Sequence, residues 1–287
     1  MARAAYLFSL KLVSLGLLAA CGSQTSGTDL SVILPSADLA HASDLALDTD
    51  LDEDGLPDAQ ELAWAAAYLP YISTSPSEGC PVAGMLVRVR PHPDDPTLVL
   101  ILYDFLYNAD CGISGHDGDD EAFGMTIDPT RPAPGGIISM KAISHQGTIC
   151  ERDSSCGQCA GLSACQTTNQ GGVAWPTMWP SKNKHGSYVD ATTTCAFGAT
   201  CLDECDDNPT PTVPMIVNAG EPGHPLVSDL TTQGFITSAN GWTHMELFHF
   251  DPWKPGIFGG AGDISQDLVD PSFVTVACHP SGADAGD

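Results

Sequence analysis

From about residue 80 onward the apolar stretches of this chain are short, rich in β-branched and aromatic residues, and closed at both ends by Gly, Pro, Asn or Asp. They are Met85–Arg90, Thr97–Tyr103, Ala122–Ile127, Gly136–Ile143, Pro214–Val217 and Phe273–Cys278. Runs of that length and makeup are strands, and the punctuation supplies the turns between them. The 29 Gly and 22 Pro of the chain fit this turn-rich plan better than a helical bundle. The Ala-rich stretch Glu61–Tyr68 is the one convincing helix. The expectation is an all-β protein, a β-sandwich over residues 73–279 with a disulfide-rich loop insertion and one short N-terminal acidic loop and helix over 47–72.

Eleven cysteines are an odd number for an exported chain. The N-terminus accounts for the odd one. Arg3 and Lys11 accompany an apolar run from Ala4 to Ala20, too short for a comfortable membrane span, which ends in Leu18-Ala19-Ala20-Cys21. That string resembles the bacterial lipobox, in which the cysteine is lipidated and becomes the first mature residue. Residues 1–20 then form a lipoprotein signal peptide, and Cys21 carries the lipid that holds the protein on a membrane. Gly22 rather than Asp follows it, which by analogy with enteric bacteria places the protein in the cell envelope as an outer-membrane lipoprotein. Residues 21–46, rich in Ser, Thr, Asp and Ala, read as a flexible tether, and 280–287 as a disordered tail.

Cys80, Cys111, Cys150, Cys156, Cys159, Cys165, Cys195, Cys201, Cys205 and Cys278 remain, an even set suited to disulfides in an oxidising compartment. Residues 146–210 hold seven of them among few apolar runs and read as the loop-rich insertion. Ten Lys+Arg against 36 Asp+Glu, with no basic stripe, argue against nucleic acid as a partner.

The sharpest local signal is Asp50-Leu51-Asp52-Glu53-Asp54-Gly55-Leu56-Pro57-Asp58-Ala59-Gln60-Glu61. It fits the twelve-residue calcium loop, with Asp50, Asp52, Asp54, the Leu56 carbonyl, Asp58 and Glu61 as ligands and Gly55 at the sharp reversal. Carboxylates packed so closely repel one another unless a hard cation accepts their oxygens. Pro57 lacks the N–H through which paired hands join, and no second loop of this kind occurs. A solitary, structural calcium (Ca2+) loop of about 10⁻⁴–10⁻³ M affinity is expected.

A second acidic constellation runs Gly115-His116-Asp117-Gly118-Asp119-Asp120-Glu121. In an extended segment Asp119 and Glu121 project to one face, and His116 can reach back from the loop, so the three can share a divalent cation; Asp104 or Asp110 can add a fourth ligand. The heptapeptide resembles the Gly-His-x-Gly-Asp-Trp-Glu signature of the vacuolar-protein-sorting-type β-sandwich family and, more distantly, that of the necrosis-inducing cytolysins; Asp120 stands where both carry Trp. The downstream Ser181–Tyr188 segment, containing His185-Gly186-Ser187-Tyr188, and the Gly-rich Trp253–Asp263 stretch are similar to later elements of those families. The resemblance implies a β-sandwich in which the matching His116, Asp119 and Glu121 line an acidic divalent-cation pocket used to dock on a lipid headgroup.

Taken together, the sequence describes a lipid-anchored envelope protein that binds calcium and acts as a metal-dependent binding module for a glycan or lipid headgroup. The competing readings are a metal-assisted hydrolase with His185 as base, and a purely structural envelope protein.

Overall fold

The computed structural model describes residues 49–242, apart from 114, 146–151, 158–161, 163–164, 192–194, 196–200, 207–209, 213 and 241. Cys21 and the tether, Cys150, Cys159, Cys278, the 253–263 stretch and the tail lie outside the described residues.

The chain enters through the acidic loop into helix α1, Asp58–Tyr68. The helix starts three residues before the expected Glu61. Pro57 sets this start, because its carbonyl accepts the amides of Gln60 and Glu61 at 2.8 and 3.1 Å, and a proline just ahead of a helix sacrifices no helical hydrogen bond. Glu61, Ala65 and Tyr68 form the buried stripe, at the i, i+4, i+7 spacing of one helix face. The core-facing side of α1 therefore carries a carboxylate inward at its N-terminal end.

Strand β1, Tyr71–Thr74, follows, then an antiparallel meander of β2, Val82–Pro91, β3, Val99–Ala109, β4, Asp117–Ile127, β5, Ile137–Ser144, and β6, Arg152–Cys156. After β7, Thr167–Gln170, β8, Val173–Pro180, β9, Ser187–Tyr188, and β10, Thr210–Thr212, strand β11, Ile216–Asn218, returns to lie parallel to β2. The result is a six-stranded sheet in the order β11-β2-β3-β4-β5-β6 and a second sheet in the order β10-β1-β8-β7, with β9 paired to β8. Gly220–Glu221 and His224–Pro225 form a small two-stranded ribbon, β12 and β13.

The protein is thus all-β and sandwich-like, with a disulfide-rich region. The odd-numbered side chains of β2 to β4, among them Tyr103, Phe105, Phe123 and Met125, pack with Met140 and Ala142 of β5, with Ile72 and Met178 of the second sheet and with Ala65 and Tyr68 of α1. Tyr103 and Phe123 stack with ring centroids 4.7 Å apart. Leu86, Leu102, Leu106 and Ala122 point the other way and are covered by Leu230, Phe235, Ile236 and Trp242. Burial on both faces explains why β2 and β3 read as continuous apolar runs instead of alternating ones, and each buried Leu or Phe there contributes about 1.5–3 kcal/mol. The covering layer leaves no room for a side chain at Gly84, where a Cβ would sit 2.5 Å from the Phe235 ring.

Residues 146–210 carry the expected disulfide-rich region, and their described part also supplies β6 to β9, three of which belong to the second sheet. Polar and aromatic strands such as Thr167–Gln170 and Val173–Pro180 lack the aliphatic signature that marks the core strands. Cys80–Cys111, Cys156–Cys165 and Cys195–Cys205 are disulfides, and Cys201 is also disulfide-bonded.

Candidate functional site

The acidic loop is held open by its own backbone. Asp50 accepts the amide of Gly55 at 3.0 Å, Asp54 that of Leu56 at 2.7 Å, and Asp58 that of Leu51 at 2.9 Å. Glu53 and Gly55 have φ of 61° and 98°, so the chain reverses through two left-handed residues and folds its carboxylates to the inside. Across from the loop, Asn218 of β11 donates from Nδ2 to Glu61 at 2.6 Å and fixes the helix-borne ligand.

These contacts use only one oxygen of each of Asp50, Asp54 and Glu61. Asp50 Oδ1, both oxygens of Asp52, Asp54 Oδ2 and Glu61 Oε1 are buried and find no hydrogen-bond partner among the described residues. Asp52 is 2% exposed and Glu61 0%. Burial, reinforced by Asp54, Asp58 and other acidic neighbours, pushes Asp52 up to about 7. Burial, opposed by the Asn218 hydrogen bond and aided by Asp52 and Asp54, pushes Glu61 up to about 9. Asp50, Asp52 and Asp58 bring ligand atoms within 4.8 Å of one another, and so do Asp52, Asp54 and Glu61. The five sequence-predicted carboxylates therefore fall into two triplets that share Asp52. Such a set of orphaned oxygens suits a hard cation that takes six to eight oxygen ligands.

The Asp52 side of the loop opens into a cleft of about 580 Å³ whose other walls include Arg90, Glu221 and His224. Arg90 pairs with Glu221 at 2.8 Å, and His224 lies 3.6 Å from Glu53. Nothing local in the sequence marks Asn218, Arg90 or Glu221 as neighbours of the loop; β11, β2 and the β12–β13 ribbon bring them there.

The second constellation assembles differently from the expectation. β4 begins at Asp117, so Asp119 and Glu121 are strand residues, opposite Tyr107 and Phe105 on the sandwich-facing side of the sheet. Asp104 sits opposite Ala122, in phase with Leu102 and Leu106, and so faces the other way. His116 is exposed, with Nδ1 2.7 Å from the Gly118 carbonyl, and Asp110 accepts the Gly112 amide at 2.6 Å. His116, Asp119 and Glu121 are not among the close metal-ligand triplets of the described residues.

Asp119 is instead joined to His185, whose Nδ1 donates to Asp119 Oδ2 at 2.7 Å while Nε2 lies 3.5 Å from Glu78 Oε1. The fully buried imidazole stacks on Tyr107, with centroids 3.7 Å apart and rings 4° from parallel. Left-handed φ angles at Asn183 and His185 turn the 181–186 loop inward. Glu78 is fixed in turn by the amides of Cys80 and Asn183 at 2.9 and 2.8 Å, next to the Cys80–Cys111 disulfide. Burial alone would lower His185, but hydrogen bonds to Asp119 and Glu78 outweigh it and raise the imidazole to about 9. A second buried carboxylate, Asp203, receives His145, Tyr188 and Ser181 and secures the far end of the same loop.

Trp242 packs against Gly118, where a Cβ would lie 2.9 Å from the indole and φ is 70°. An aromatic ring thus backs the heptapeptide from a distant part of the chain.

No family model and no curated protein matches the chain. Among solved structures it is similar to one described as a toxin fold for microbial attack and plant defense, with 16% identity over 54% of this chain and 72% of that one and a TM-score of 0.30. It is also similar to NLPPya in complex with glucosamine, with 14% identity, 56% and 74% coverage and a TM-score of 0.33. The complex of NLPPya with mannosamine gives 14% identity, 56% and 74% coverage and 0.30.

Proposed function

We propose that this chain is a lipid-anchored bacterial envelope protein whose acidic loop binds calcium, and that it acts as a metal-dependent binding module for a polar surface ligand. One observation supports the calcium reading above the others: five buried carboxylate oxygens without hydrogen-bond partners among the described residues, carried by one loop and the first turn of one helix. Bound calcium would supply charge compensation; Asp50, Asp52, Asp54, Asp58 and Glu61 would hold it, with the Leu56 carbonyl. Isothermal titration of calcium into the wild-type protein is expected to show binding in the range of extracellular modules, about 10⁻⁴–10⁻³ M. Asp52→Asn, which alters the residue common to both triplets, should weaken it at least about tenfold, since affinity in such loops follows ligand charge. Undiminished binding in the variant would reject the loop as the site.

The second cation, proposed at His116, Asp119 and Glu121, would have to compete with His185 for Asp119. Residual calcium or zinc binding in the Asp52→Asn protein that disappears on adding Asp119→Asn would support it. The lipid anchor rests on the Leu18–Cys21 string: Cys21→Ser is expected to move the protein from the membrane to the soluble fraction, and unchanged partition would remove the anchor from the reading.

The hydrolase alternative gains from the contact of His185 with Asp119 but loses on chemistry. A general base must be unprotonated and within reach of substrate. His185 is fully buried between two carboxylates that hold its proton. The binding-module reading is therefore preferred.

A further inference from the structure

We infer that the Cys80–Cys111 disulfide is a thiol-exchange site, opened at Cys111 by an external dithiol, and that its reduction releases the loops that enclose His185. The site is independent of calcium and of the binding-module reading.

Exposure sets this bridge apart. Cys111 is exposed, whereas every other disulfide-bonded cysteine among the described residues is buried or half-buried. Exposed bridges are the labile ones, because a thiolate must reach a sulfur to break it. Charge favours the same position. Cys111 lines a cleft of about 370 Å³ together with Lys182, Lys184 and Glu204, and neither lysine makes an ion pair among the described residues. With 36 Asp+Glu against ten Lys+Arg, most of the chain repels a thiolate; this cleft, with two ammonium groups against one carboxylate, attracts it. The same cations favour Cys111 as a departing thiolate, which speeds the second half of an exchange.

What the bridge fastens gives its reduction a consequence. Glu78 accepts the amides of Cys80 and Asn183, and Asn183 accepts the Gly79 amide on Oδ1 at 2.9 Å and the Cys111 amide on its carbonyl at 2.8 Å. The 78–80 turn, Cys111 and the 181–186 loop are thus one hydrogen-bonded unit with the disulfide across it, and Glu78 on its inner side stands 3.5 Å from His185 Nε2. Each such hydrogen bond contributes only about 0.5–1.5 kcal/mol, so the covalent link, between residues 31 apart in sequence, decides whether the unit stays closed. Tyr107 and Asp119 do not depend on it, because the β3–β4 ladder holds them. A thiolate of the reductant attacks the Cys111 sulfur and expels Cys80, which takes up a proton. The second thiol of the reductant, losing its proton, then attacks the mixed disulfide and releases Cys111 into the cleft. Two electrons pass from the dithiol, which ends as a disulfide, to the bridge, which ends as two thiols. Glu78 is then free to swing toward water, and His185 retains Asp119.

The test treats the folded full-length protein with dithiothreitol at neutral pH, quenches samples with iodoacetamide and maps the alkylated cysteines by mass spectrometry. Cys80 and Cys111 are expected to be alkylated at least about tenfold faster than Cys156, Cys165, Cys195 and Cys205. Combining Lys182→Gln with Lys184→Gln should slow the first attack by glutathione, an anionic thiol, severalfold, and should not slow attack by cysteamine, a cationic one. Amide hydrogen exchange on the protein reduced at this bridge should show lost protection at residues 75–80 and 181–186, with β2, β3 and β4 unchanged. Equal or faster reduction of another bridge, or a lysine effect that is the same for both thiols, would overturn the exchange site. Unchanged protection in the two loops, or protection lost equally in β3, would overturn the release and reduce the bridge to a structural staple.

Discussion

With calcium at about 100 times its dissociation constant and mildly alkaline pH, the wild-type protein should melt roughly 5–10 °C higher than with chelator, whereas Asp52→Asn should show almost no calcium response. The figure follows from mass action: ligand at about 100 times its dissociation constant stabilises by about 2.7 kcal/mol, and a domain of this size gains roughly 2–4 °C per kcal/mol. The pH dependence has a definite sign. In the calcium-free protein Asp52 and Glu61 titrate at about 7 and 9, above their ordinary values of 3.8 and 4.5. Between those limits the folded chain holds more protons than the unfolded one, so calcium-free stability falls as pH rises through the window. Calcium displaces the same protons, so its stabilising effect grows with pH and shrinks in mild acid. Asp52→Asn removes one repelling charge, and the calcium-free variant should be at least as stable as wild type at alkaline pH. Differential scanning calorimetry across pH with and without calcium reads all three effects. An equal calcium response in the variant would place the stabilising cation elsewhere.

The second large effect is expected at His185. Replacing it by Ala should cost about 3–5 kcal/mol in urea unfolding, because Glu78 and Asp119 would then face each other across a buried gap with no cation between them. His185→Phe separates packing from charge: it keeps a ring on Tyr107 and still loses most of the stability. Adding Glu78→Gln and Asp119→Asn to that variant should restore much of the loss, since the uncompensated charges are gone. The sign of the pH effect again follows from the shift. His185 is raised from 6.5 to about 9, so its contribution is fully present below 6.5 and disappears as pH rises through about 9. An alanine variant as stable as wild type at neutral pH would refute the charge-sandwich account.

The two sites were legible in the sequence to different degrees. The loop from Asp50 to Glu61 could be read because its ligands lie within one turn of chain, where spacing alone dictates which oxygens converge. Even there the grouping into two triplets sharing Asp52, and the support from Asn218, depend on how α1 packs against β11. In the heptapeptide, alternation puts Asp119 and Glu121 on one side of a strand, and that is the whole of what marks them as a ligand set. The register with β3 does put them beside Tyr107 and Phe105 on one face, yet it turns Asp104 to the other, and the partner that reaches Asp119 is His185 from a loop 66 residues away. Glu78 and Tyr107, which complete that cluster, belong to no motif.

The sequence by itself determined the strand-rich architecture, the helix after the acidic loop, and the local concentration of negative charge, because periodicity, proline and glycine act over a few residues. Tertiary structure decided what that charge faces. The sheet buried on both faces, the second sheet that joins β1 to strands β7 to β10, and the cleft that joins Asp52 to Arg90, Glu221 and His224 all arise from contacts between segments far apart in the chain. A carboxylate's chemistry depends on burial and on its neighbours, and those are properties of the packed molecule.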